Sequence, residues 1–128
     1  MSLERYLTGR LVVLRPNATV FEAARAMEDN GIGSVLVSTR WGLVGIVTDR
    51  DIVTRVVARS EDPRGVTVGD VMSRDVMTLH RSATEADAAH AMRTCCVRRI
   101  ALVDDDRHPI GIVSLDDLIA QRAIAPSL

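Results

Sequence analysis

The stretch Gly45-Ile46-Val47-Thr48-Asp49-Arg50-Asp51 returns 66 residues later as Gly111-Ile112-Val113-Ser114-Leu115-Asp116-Asp117. Each copy reads as a buried strand running into a helix, with a hydroxyl at the helix start and a carboxylate three residues on. A hydroxyl and a carboxylate at that spacing form a capping box, and the same groups also suit a ligand. Backbone N–H groups at the helix start are expected to meet phosphate, and the acceptor-only carboxylate a ribose diol.

Outward from the motif, the rest of the chain is duplicated too. Ahead of the hairpins the offset is 65: Thr19 meets Thr84, Ala24 meets Ala89, Met27 meets Met92, and Val71-Met72 fall opposite Tyr6-Leu7. The second hairpin is one residue longer, which brings the offset to 66 at the motif. The pattern is a tandem repeat of β-α-β-β-α units. In the first copy, Leu11–Leu14 reads as a strand and Val20–Asn30 as a helix capped by Thr19 with Glu22. Ser34–Val37 and Leu43–Val47 form a hairpin about Thr39–Gly42, and a helix runs from Thr48 to about Arg59. Polar Ser60–Gly65 is the linker, and Val66–Met72 a short helix leading into the second half. There Asp75–Leu79 is a strand, Glu85–Thr94 a helix capped by Thr84 with Asp87, and Arg99–Val103 with Ile110–Val113 a hairpin. Ser114 opens the last helix, with Leu118 and Ile119 inward, while Met1–Leu3 and Ala125–Leu128 are expected to fray. The repeats are placed at 6–59 and 71–122, joined by 60–70. A unit of that size is marginal alone, so the two are expected to pack their sheets face to face as an α/β (α+β) pseudo-two-fold pair.

Composition narrows the function. Of 128 residues 47% are apolar, yet Trp, Tyr and Phe occur once each, so the core is aliphatic and a ring ligand would be gripped by aliphatic side chains. A net charge of −1 argues against nucleic acid as a partner. No apolar run approaches the ~20 residues of a membrane span. Glu4 and Arg5 are unlike a signal peptide, so a cytoplasmic location is expected. Adjacent Cys95 and Cys96 read as thiols at a helix end, one tucked inward. His80, His90 and His108 are scattered, and Asp104-Asp105-Asp106 reads as a solvated turn rather than a cation site. Trp41 marks either a contact surface or a partly covered turn. No nucleophile and base stand at a recognisable spacing, so no catalytic residue, no enzyme activity and no metal are expected.

Two β-α-β-β-α repeats that each end in Gly-hydrophobic-hydrophobic-(Thr/Ser)-x-x-Asp and an apolar helix resemble the CBS domain pair, or Bateman module, over about residues 6 to 122. Val97-Arg98-Arg99-Ile100 also resembles the family's strand entry, although Leu36 and Ala101 replace a proline often found there, and Gly33-Ser34 replace the arginines in the first copy. The resemblance implies a regulatory module that binds AMP, ADP, ATP or S-adenosylmethionine in clefts between the repeats, as a regulatory ligand rather than a cofactor. It assigns ribose contacts to Asp51 and Asp117, and phosphate or ribose contacts to Thr48 and Ser114. It places Val12, Ile32, Val44 and Ile46 around one adenine, and Val76, Val97, Ile110 and Ile112 around the other. It further implies a disc-like homodimer, and a separately encoded effector protein is expected. Arg98 and Arg99 either hold phosphates or pair with acidic neighbours; Arg50 and Arg55 are weaker candidates. The competing reading is a ligand-free dimerisation scaffold in which the motif only caps helices.

Overall fold

The structure is a computed structural model and describes residues 2–7 and 11–120. It divides into two compact units, one of residues 11–76, the other joining residues 2–7 to 77–120.

The unit of residues 11–76 holds β1 (Val13–Leu14), α1 (Val20–Asn30), β2 (Ser34–Thr39), β3 (Gly42–Thr48), α2 (Asp49–Ile52) and α3 (Val68–Val71). β2 is the central strand, parallel to β1 and antiparallel to β3. Its Val35, Leu36 and Val37 are buried, Val35 and Val37 in the same core as α1, and both of its edges are paired. α1 starts where the Thr19 hydroxyl accepts the Glu22 N–H (3.1 Å) and stops at Gly31, whose φ of 63° is the left-handed conformation a glycine tolerates. Thr19 makes only the first of the two capping-box bonds. Val20, Ala23 and Met27, spaced at three and four, turn inward. The hairpin closes through Arg40 and Trp41, and Trp41 stays 78% exposed with the Arg40 guanidinium 4.6 Å above its ring. After α2, Val53–Val57 winds as a π-helix, the Ala58 N–H donating to the Val53 carbonyl (2.8 Å). The single helix expected over 48–59 is thus two kinds of turn.

Residues 66–72, expected as a short helix leading into the second half, pack on the first. Val68 and Val71 are buried in the core of α1, β2 and β3. The Val68 N–H donates to the Ala18 carbonyl (2.8 Å) and the Val20 N–H to the Val66 carbonyl (2.9 Å). A complete capping box, Thr67 with Asp70, starts α3.

The other unit holds β4 (Thr78–His80), α4 (Glu85–Cys95), β5 (Arg99–Val103), β6 (Pro109–Ser114) and α5 (Leu115–Ala120). The sheet order is β4-β5-β6, again with the first pair parallel and the second antiparallel. The complete Thr84–Asp87 box opens α4. Ahead of these elements, Glu4–Tyr6 forms a 3-10 turn. Leu3, expected to fray, is fully buried with Ala88, Met92, Ile100, Leu102 and Leu118, and Ser2 bridges Thr84. Segments 2–7 and 67–72 therefore do equivalent work: each fills a core with an apolar residue, Leu3 or Val68, and each bridges a helix cap, Thr84 or Thr19. Both cysteines are exposed, correcting the inward thiol: Cys96 takes the left-handed position at the end of α4 (φ 55°). The expected fraying at 125–128 lies outside the described residues. Among the described residues no helix is long and apolar enough to cross a membrane.

Candidate functional site

The two strand-to-helix junctions are built alike. In the first, the Thr48 hydroxyl accepts the Asp51 N–H (3.1 Å) and Asp51 Oδ2 accepts the Thr48 N–H (2.9 Å). In the second, the Ser114 hydroxyl accepts the Asp117 N–H (3.0 Å) and Asp117 Oδ2 accepts the Ser114 N–H (3.1 Å). The capping reading and the ligand reading of the motif thus share the same atoms.

The expectation of free amides for a phosphate is corrected at α2. The Asp49 N–H donates to the Gly33 carbonyl (2.9 Å), the Arg50 N–H to Asp49 Oδ1 (2.8 Å), and the Asp51 N–H to Thr48. At α5, the Leu115 N–H likewise donates to the Arg98 carbonyl (2.7 Å). Asp49 and Asp51, or Asp116 and Asp117, already meet the positive helix end. What the junctions retain is acceptor capacity, since an ionised carboxylate has about four lone-pair sites and the cap uses one. That capacity suits hydroxyl donors.

Strand geometry separates the apolar candidates. On β3, Ile46 and Thr48 alternate with buried Gly45 and Val47 and share one partly exposed face, whereas Val44 falls at the register shift beside Val37 and packs against the core. On β6, Ile112 and Ser114 share the equivalent face, and Ile110, at the register shift beside Leu102, packs against the second core. Ser34 stands directly across from Thr48, and Arg99 directly across from Ser114. Val12 and Ile32 pack partly buried in the first unit, and Val97 in the second. Val76 is one residue out of step. The Val12 carbonyl accepts the Leu36 N–H (3.0 Å), and its counterpart, accepting the Ala101 N–H (3.0 Å), is Met77.

The arginines separate. Arg98 is exposed and lies 3.7 Å from the equally exposed Asp116, a pair of small energetic weight. Arg99, half-buried, is the cation beside Ser114. Arg55, rated weakly from sequence, reaches Asp51 Oδ1 (3.7 Å) and donates to the Val71 carbonyl (2.6 Å). Only the i, i+4 spacing of Asp51 and Arg55 hinted at the first contact; the second depends on α3 folding back. Near Asp117, the Tyr6 hydroxyl is buried without a hydrogen-bond partner among the described residues. Burial raises its pKa above the ordinary phenol value, with Glu85 and Asp117 adding to the effect.

Two side-chain groupings lie apart from the junctions. Asp104, Asp106 and His108 offer atoms within 4.8 Å of one another, but Asp104 Oδ1 accepts the Asp106 and His108 N–H groups (both 2.9 Å), which is the work of a turn. These two amide bonds, His108's first, hold the Asp104 carboxyl below its ordinary pKa. His80 Nε2 meets Asp105 Oδ1, while Nδ1 lies 2.8 Å from the Ser82 hydroxyl. The side chains of His80 and Asp105 are 44% and 92% exposed, so the trio lacks the water-excluded setting in which such a relay stabilises charge.

Comparison with known proteins agrees with this geometry. A family model described as the CBS domain matches residues 3–58 and 68–123. The chain is 36% identical over 105 residues to the uncharacterized protein MK0525 of Methanopyrus kandleri, covering 81% of this chain and 54% of that one. It is 32% identical over 121 residues to the CBS domain-containing protein YhcV of Bacillus subtilis, covering 94% and 85%. The chain thus spans about half the length of the first relative and most of the second. Among solved structures it is similar to the CBS domain protein PAE2072 of Pyrobaculum aerophilum complexed with AMP, with TM-score 0.84, 26% identity, and 97% and 95% coverage. With the junction built twice and the family model matched twice, the chain belongs to the CBS domain family and carries two CBS domains in tandem.

Proposed function

We propose that this CBS pair is a non-catalytic regulatory module that binds an adenosine-containing ligand, its ribose hydroxyls donating to Asp51 in one unit and Asp117 in the other. The observation that carries the reading is the retained acceptor capacity of both carboxylates, each fixed by a reciprocal cap beside a partly exposed aliphatic strand face. A similar CBS protein complexed with AMP supports it. On this reading Thr48 and Ser114 line the ribose side, with Ile46 or Ile112 against the base; Val12, Ile32 and Val44, or Met77, Val97 and Ile110, complete each wall. Arg99 supplies the cation for a phosphate at the second site, and Arg98 is a lesser contributor. Binding regulates only if the ligand prefers one arrangement of the module over another. Val53 and Val57, one turn apart and 56% and 65% exposed, favour a homodimer face. A separately encoded effector and a cytoplasmic location belong to the same proposal.

The scaffold reading is favoured by one observation: each motif carboxylate already has a structural task as a cap. Thermal melting with AMP, ADP, ATP and S-adenosylmethionine separates the two. A ligand at a hundredfold its Kd adds about 2.7 kcal/mol of stability. A melting point unmoved by millimolar concentrations of all four supports the scaffold.

A further inference from the structure

The side chain of Arg55 joins two things that are distant in sequence. Its Nη1 donates to the Val71 carbonyl (2.6 Å), an acceptor at the C-terminal end of α3, where helix carbonyls lack intrahelical donors. Its Nη2 lies 3.7 Å from Asp51 Oδ1, while Oδ2 of the same carboxylate takes the Thr48 N–H. The Asp51 side chain is only 14% exposed and that of Arg55 39%, so this pair is better shielded than Arg98 with Asp116. Directly after Val71, the chain is pinned to the edge of β3. The Ser73 N–H donates to the Ile46 carbonyl (2.9 Å), and the Ile46 N–H to the Ser73 carbonyl (3.0 Å). Ile46 also belongs to the strand face proposed to meet the base.

We propose that Arg55 is a positioning residue that couples Asp51 to the docking of segment 67–73. The planar guanidinium has a fixed fork of donors, so a carboxylate on one side and a carbonyl on the other hold it in one orientation. Anything that shifts or recharges Asp51 therefore changes the hold on Val71, and undocking of 67–73 withdraws the fork from Asp51. The coupling is reciprocal: a ligand that uses Asp51 tightens the segment by the factor by which the docked segment tightens the ligand. In the ligand's identity this inference rests on the adenosine reading; in its mechanics it does not. By the repeat offset the residue opposite Arg55 is Gln121, which carries no charge.

The test reads hydrogen exchange at the Ser73 amide, which reports segment docking, in wild type, Asp51→Asn, Arg55→Met and the double variant. Asn keeps an oxygen for the cap and removes the charge; Met keeps the stem of Arg and removes the fork. The expected result without ligand is faster exchange in both single variants. Asp51→Asn should then have little further effect once Arg55 is Met, with partial rescue by Arg55→Lys. Additive effects on Ser73 overturn the coupling. With AMP as probe, wild type should gain protection at Ser73, while Arg55→Met should lose that gain and bind about five- to tenfold more weakly. Unchanged AMP affinity in Arg55→Met, with the same gain at Ser73, also overturns it. A wild type that binds no AMP defeats the adenosine reading, and the ligand-free cycle still decides the role of Arg55.

Discussion

Ile46 and Ser73 exchange both of their backbone hydrogen bonds, which extends the first sheet beyond β3 with a residue from the linker side of the chain. The exchange explains why the motif begins with glycine. A Cβ on Gly45 would lie 2.5 Å from Met72 Sδ and 3.0 Å from the Ser73 carbonyl oxygen, and one on Gly111 would lie 2.6 Å from the Tyr6 carbonyl oxygen.

The two glycines should respond unequally to alanine. At Gly45 the nearest obstacle is a flexible methionine, which can swing aside; at Gly111 it is backbone. Gly111→Ala should cost about 1–3 kcal/mol, the usual range for overpacking, and Gly45→Ala less. Urea unfolding of both variants checks the order; a larger loss at Gly45 contradicts the packing described.

Leu3 is fully buried among residues of the second repeat. Leu3→Ala should cost about 2–5 kcal/mol, and hydrogen exchange should locate the loss in β5 and β6. A variant as stable as wild type would mean the N-terminal segment is not docked.

Acid sensitivity is expected at α4. The Thr84 amide, and then its hydroxyl, hold Asp87 below the ordinary carboxylate pKa of 3.8. A carboxyl depressed in the folded state stabilises it above the unfolded value, and that contribution fades as pH falls through the depressed one. Wild type should therefore lose its advantage over Asp87→Asn as pH falls below about 4. Melting both proteins across that range checks the sign; an advantage that grows on acidification refutes it.

Arg99 stands across from Ser114, where the first unit has Ser34 across from Thr48. Arg99→Ala should weaken ATP at the second site by about tenfold, or 1.4 kcal/mol, and AMP by less. Equal losses for the two nucleotides would remove Arg99 from any phosphate role.

Much of this was legible in the sequence because it is local. Capping boxes at Thr48, Thr84 and Ser114 follow from contacts within three residues, and the repeat offset is read from the sequence itself. What escaped depends on contacts distant along the chain. Nothing near Leu3 or Val68 says which sheet each will cover, and nothing near Val71 announces a guanidinium from residue 55. The Asp49 amide looks free in the sequence because its acceptor, the Gly33 carbonyl, lies a whole hairpin away. The inward thiol fails for a different reason: Cys96 occupies a left-handed cap beyond the last residue of α4 and is exposed.

Calorimetric titration of AMP into wild type, Asp51→Ala and Asp117→Ala, each paired with a melting curve, tests the central claim most directly. The account predicts binding to wild type, and a loss of about 1.5–3 kcal/mol at the altered site in each variant, the scale of hydrogen bonds to a charged group. Affinity unchanged in both variants, with stability lowered by about 1 kcal/mol, would make each carboxylate a helix cap and nothing more.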